Sequence, residues 1–167
     1  MAPPESTRYT PPTNDAELVL AWLRRARESQ FFHYNAAKRL GRYGRVFGVP
    51  VIVITAIVGA SAFASILSQT VPLYAKLIVG LCSLVATVLS SLQTFFKFSE
   101  RSEKHRIFGA KFGAVRRELE TLHIQAQIKS MELAAVRAKL DMLAEEAPDV
   151  DAAVFSREKA KQGDELP

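Results

Sequence analysis

One cysteine, Cys82, stands in a chain of 167 residues, so no intrachain disulfide can form. Three histidines, His33, His105 and His123, lie on separate stretches without the spacing to cysteines or carboxylates that a metal site needs. Gly41, Gly44 and Gly48 lack a preceding strand and a following Lys-Ser/Thr pair, which excludes a phosphate loop. No hydrolase or transferase constellation is present; the sequence does not read as an enzyme, and no catalytic residue, cofactor or metal is expected. The proline-rich beginning, up to Asn14, has no hydrophobic core close behind Met1, so a cleavable signal peptide is not expected. The most informative absence is charge: none occurs from Val46 to Leu67 or from Leu77 to Phe96.

Each uncharged stretch is long enough to cross a bilayer, since about 20 helical residues at roughly 1.5 Å each cover the ~30 Å hydrocarbon core. The first holds twelve strongly apolar residues, Val51, Ile52, Val53, Ile54, Ile57, Val58 and Phe63 among them. At roughly −0.3 to −0.6 kcal/mol each, they contribute on the order of −4 to −7 kcal/mol to insertion. A buried hairpin of a soluble protein is disfavoured, because the remaining chain is too polar to wrap two such helices. The predicted fold is an all-α membrane protein: a two-transmembrane hairpin with long cytoplasmic helices on both sides, assembled as an oligomer.

Bases flank the spans unequally. Lys38, Arg39, Arg42 and Arg45 precede the first, with no acid among them; Lys97, Arg101, Lys104, Arg106, Lys111, Arg116 and Arg117 follow the second. The connecting segment, Ser68 to Lys76, carries one Lys. The positive-inside rule then puts both termini in the cytoplasm and the short connecting segment outside. Membrane lipid accounts for the excess of bases, through its anionic headgroups. Nucleic acid is not an expected partner, for no aromatic-interleaved basic face supports it.

The chain divides by composition into a disordered tail at 1–14, a helix at 15–45, the hairpin at 46–96 (spans 46–67 and 77–96), a long amphipathic helix at 97–146, and an acidic disordered tail at 147–167. Asn14 and Glu17 have the form of a capping box. In the helix at 97–146, Phe108, Phe112, Val115, Leu119, Leu122, Ala126, Lys129, Leu133, Val136, Leu140 and Leu143 alternate in steps of four and three. That is a heptad seam over about 54 Å, and it needs a partner: the helix at 15–45, or the same helix in other subunits. Gly109 and Gly113, beside this seam, are candidates for a hinge or a close helix approach, each costing roughly 1 kcal/mol relative to Ala.

Within the spans, Ser83, Thr87, Ser90, Ser91 and Thr94 recur at helical spacing and form a polar stripe. Ala56, Gly59, Ala60 and Ala64 form a small-residue face suited to close packing in lipid. The stripe is either hydrogen-bonding glue or, in a ring of several hairpins, the lining of a pore. Glu100, Glu103, Lys104 and His105 cluster near the inner membrane face, as solvated charge or as a network with Arg39, Arg42 or His33.

From Phe31 to Glu120 the chain resembles the SLATT family, two-transmembrane domains associated with SMODS nucleotidyltransferases and SLOG sensors in prokaryotic conflict systems. The resemblance rests on the order of "FFHYNAAKRLGRYGRVFGVPVIVITAIVGASAFASI", the exit "LQTFFKF" at 92–98 and "SEKHRIFGAKFGAVRRELE". It implies a pore-forming effector of antiviral defence that permeabilises the membrane and stops an infected cell growing, an abortive infection. A separate nucleotide-generating or nucleotide-sensing protein is the implied trigger. Glu100, Lys104, His105, Arg117 and Glu118 match the family's juxtamembrane polar pattern, which implies structural or gating roles for them. The alternatives are a membrane-anchored coiled-coil scaffold that recruits a soluble partner and conducts nothing, and a small constitutive channel.

Overall fold

A computed structural model describes residues 11–67, 71–125 and 127–150. Among these residues four helices follow in order: α1 (Asp15–Leu67), α2 (Leu73–Phe96), α3 (Phe98–His123) and α4 (Ser130–Glu146). They build two compact units, a hairpin unit of residues 36–104 and a bundle unit of residues 1–35 with 105–167. The tails expected at 1–14 and 147–167 fall mostly outside the described residues.

The start of α1 follows from its first residues. The Glu17 amide donates to Asn14 Oδ1 at 2.8 Å, while Glu17 Oε2 accepts from the backbone and hydroxyl of Thr13 at 2.7 and 2.9 Å. The reciprocal cap thus reaches back to Thr13 rather than to the amide of Asn14. From there α1 runs 53 residues without a break, through Gly41, Gly44 and Pro50. The separate helices expected at 15–45 and 46–67 are one element, and the units part at 35/36 and 104/105 instead.

In the bundle unit, Val19 and Ala26 of α1 pack with Phe112, Val115, Leu119 and Leu122 of α3 and with Val136 and Leu143 of α4. Leu119, Val19 and Val136 are the largest fully buried side chains. The pairs Lys111–Glu146 (3.6 Å) and Lys139–Glu118 (2.6 Å) tie α3 and α4 together antiparallel. This corrects the single helix at 97–146: it breaks after His123 and resumes at Ser130. Lys129, the one charged member of the seam, stands at this break as the N-cap of α4. Folding back at this point buries an apolar stripe that a straight helix would leave in water, at about 25 cal/mol per Å² covered.

Of the two partners open to the seam, the chain's own helices supply it. Phe112, Val115, Leu119, Leu122, Val136 and Leu143 are buried inside one chain, with Phe108, Leu133 and Leu140 packed against them. They are not available to other subunits.

In the hairpin unit, α1 and the run α2–α3 approach antiparallel along the glycine face. A Cβ at Gly41 would stand 3.2 Å from Ser102 Oγ, one at Gly44 3.6 Å from Phe98 Cβ, and one at Gly48 2.8 Å from Gln93 Nε2. Ser102 Oγ also donates to the Ala37 carbonyl at 2.8 Å. Between α2 and α3, Lys97 takes the left-handed conformation (φ 48°, ψ 41°) and donates its amide to the Gln93 carbonyl. The kink lodges Phe98 among Phe47, Phe96 and Tyr43, with ring centroids 5.7, 5.3 and 5.9 Å away. Helix α2 begins four residues earlier than expected: Pro72 needs no amide partner, and its carbonyl accepts from Ala75 and Lys76.

Candidate functional site

The hydroxyl stripe of α2 is the first feature to place. Ser83, Thr87, Ser90 and Ser91 line a groove of about 440 Å³ together with Ala86 and with Val51, Thr55, Val58 and Gly59 of α1. Ala86 is buried at its floor and Ser83 is half-buried, whereas Thr87, Ser90 and Ser91 are exposed, as is Thr94 farther along. The hydroxyls of Ser83, Thr87, Ser91 and Thr94 each donate to the carbonyl four residues earlier, at 2.8 to 3.0 Å. Thr55 does the same on α1, donating to Val51 at 2.7 Å. These hydroxyl bonds therefore close within each helix, and Thr55, Ser83, Thr87 and Ser91 among them line the groove.

The small-residue face does not join the spans within the chain. Ala56, Ala60 and Ala64 are exposed, and a Cβ at Gly59 would meet nothing within 4 Å. Close approach is carried instead by Gly41, Gly44 and Gly48, spaced by three and four. The same spacing is open to view in the sequence.

The juxtamembrane set does not form one cluster. Glu100 pairs with Lys104 at 3.1 Å and Lys97 at 3.6 Å, all exposed. The Lys104 hydrogen bond, with the charges of both lysines, holds its carboxyl below the usual range. His105 belongs to the bundle unit, where it is buried and its Nδ1 lies 2.9 Å from Nδ1 of His33. Burial, and secondly the neighbouring His105, lower the pKa of His33 to about 4. The His33 ring also stacks on Phe112, centroids 5.5 Å apart. Glu118 accepts from Lys139, and Arg117 is exposed. His33 carried a signal: it continues the seven-residue repeat of Val19 and Ala26, a core position.

Gly109 and Gly113 sit inside an unbroken α3. A Cβ at Gly109 would come 3.0 to 3.2 Å from the Tyr34 ring, and one at Gly113 2.7 Å from Gln30 Nε2. Among the described residues no group of three or more His, Cys, Asp or Glu is placed to hold a metal ion.

Both apolar helices pass the length and hydropathy test for a membrane span, and only 6% of each one's most apolar window is buried. That exposure sets them apart from core helices of a soluble protein. The model of the SMODS and SLOG-associating 2TM effector domain family 4 matches residues 28–156. The chain belongs to this SLATT family. No curated protein and no solved structure matches it. The SLATT match covers α2, α3, α4 and most of α1, so the groove and the histidine pair both fall inside it. A two-transmembrane effector domain of an all-helical kind is thereby the established description, and it places this SLATT protein in a membrane.

Proposed function

We propose that this SLATT protein is a pore-forming effector of a prokaryotic antiviral system, assembled from several copies in the inner membrane with both termini in the cytoplasm. A separate nucleotide-linked sensor triggers it, and permeabilisation arrests the infected cell. The observation that carries this reading is the groove: an exposed hydroxyl face at span depth, where lipid would otherwise lie. Two spans alone enclose no lumen, so conduction requires a ring of hairpins with these grooves turned to a common axis.

The internal bundle core has a consequence for assembly. With the heptad seam consumed within the chain, contacts between copies fall to the spans, where Ala56, Gly59, Ala60 and Ala64 offer a surface for close packing. The same fact weakens the scaffold reading, which needs a free coiled-coil face to recruit a partner. One observation favours that alternative: hydroxyls bonded to their own helix are tolerated in lipid without water. Dye-loaded liposomes separate the two. Release by the reconstituted oligomer, lost in Thr87→Leu/Ser90→Leu at unchanged oligomeric mass, supports the pore; a discrete oligomer that releases nothing supports the scaffold.

A further inference from the structure

Charge around the candidate conduction path is predominantly positive. Between Glu28 and Glu100 the chain contains no acid and six bases, Lys38, Arg39, Arg42, Arg45, Lys76 and Lys97. The hairpin unit as a whole has only Glu100 and Glu103 as acids. Glu100 is held by Lys97 and Lys104, so its charge is already matched. Lys38, Arg42 and Arg45 recur at i, i+4 and i+7, share one face of α1, and are exposed with no ion pair among the described residues. Lys76 is exposed in the first turn of α2, at the opposite end of the spans.

We infer that the pore selects anions: small inorganic anions enter past the bases at both ends of the spans, and cations are turned away. The inference rests on the pore reading above. Each additional copy in a ring multiplies the same charge at the same level, and rings of Arg or Lys are how anion pathways are built. The groove itself is neutral, lined by Thr55, Ser83, Thr87, Ser90 and Ser91. Its hydroxyl oxygens present lone pairs that would suit a cation, but no acid lies within the spans to reinforce them, and Glu100 at their inner end is paired with Lys97 and Lys104. Full charges at the mouths outweigh those partial ones, and they raise the local concentration of counter-ions before any ion enters.

Planar bilayers with a potassium chloride gradient test this directly, with the full chain and with recording across a range of voltages so that brief openings register. The expected result is a reversal potential giving a chloride-to-potassium permeability ratio above one, which rises as the salt is diluted and screening weakens. Arg42→Gln/Arg45→Gln and Lys76→Gln should each bring the ratio toward one with oligomeric mass unchanged. Arg24→Gln/Arg25→Gln, in the bundle unit, should leave it where it was. A conducting wild type that prefers potassium overturns the inference and leaves the pore standing. A chloride preference untouched by these substitutions overturns the role given to the bases. A bilayer that stays silent overturns the pore reading, and this inference with it.

Discussion

His33 and His105 meet Nδ1 to Nδ1 at 2.9 Å inside the bundle, so one ring must donate from Nδ1 while the other accepts there as the opposite tautomer. The bond needs at least one neutral imidazole, and both rings are buried.

A pH dependence follows. Burial, and then His105, bring His33 to about 4 from its ordinary 6.5, so the fold favours the neutral ring. That contribution is complete above pH 6.5 and is lost as pH falls from there toward 4. The limiting slope is about 1.4 kcal/mol per pH unit. Thermal melts in detergent should show Tm falling over this window in the wild type and a flatter profile in His33→Gln. Equal slopes in the two proteins would contradict the assignment.

Gly44 and Gly109 separate two kinds of glycine. A Cβ at Gly44 makes ordinary contact with Phe98, so Gly44→Ala gains helix propensity and should stabilise by up to about 1 kcal/mol. At Gly109 the Cβ would press on the rigid Tyr34 ring, and Gly109→Ala should destabilise by about 1–2 kcal/mol through overpacking. Denaturation of the two variants side by side checks the opposite signs.

Lys97 pays for the kink between α2 and α3 with a left-handed backbone, which costs a residue other than glycine roughly 1–2 kcal/mol. Lys97→Gly should therefore stabilise by about 1 kcal/mol, since the lost pair with Glu100 is exposed and worth little. Lys97→Val should destabilise. A Tm ordering of Gly above Lys above Val is the expected result.

Leu119 is fully buried in the bundle core. Leu119→Ala should cost about 2–5 kcal/mol, yet leave oligomeric mass unchanged, because the seam it belongs to is internal. Dissociation of the oligomer in this variant would return the seam to the contacts between copies.

What could be read in advance depended on the kind of signal. The two apolar helices were legible because charge is simply missing from Val46–Leu67 and Leu77–Phe96, and length does the rest. The fold-back of α3 on α4 was not, because residues 124–129 contain neither Gly nor Pro and the heptad phase carries across them. Periodicity reports which face is buried, not whether the helix turns round between repeats. The kink at Lys97 was equally hidden: no glycine marks it, and the packing of Phe98 on Phe47 and Phe96 compensates it. For the candidate site, the spacing of Ser83, Thr87, Ser90 and Ser91 was visible, but the groove needed Thr55 and Val58 from the other span. The pairing of His33 with His105 joins residues 72 positions apart, beyond the reach of any local pattern.

The central claim is that water reaches the hydroxyl face of α2. In a Cys82→Ser background, single cysteines at Thr87 and Ser90 can be compared with cysteines at Leu81 and Val88, which are exposed and fall on the face of the same helix away from the groove. A charged, water-soluble thiol reagent is applied to the protein in liposomes. A water-filled pore predicts modification at 87 and 90 and none at 81 and 88. Equal silence at all four positions would mean that the groove faces lipid or protein, and would contradict the pore.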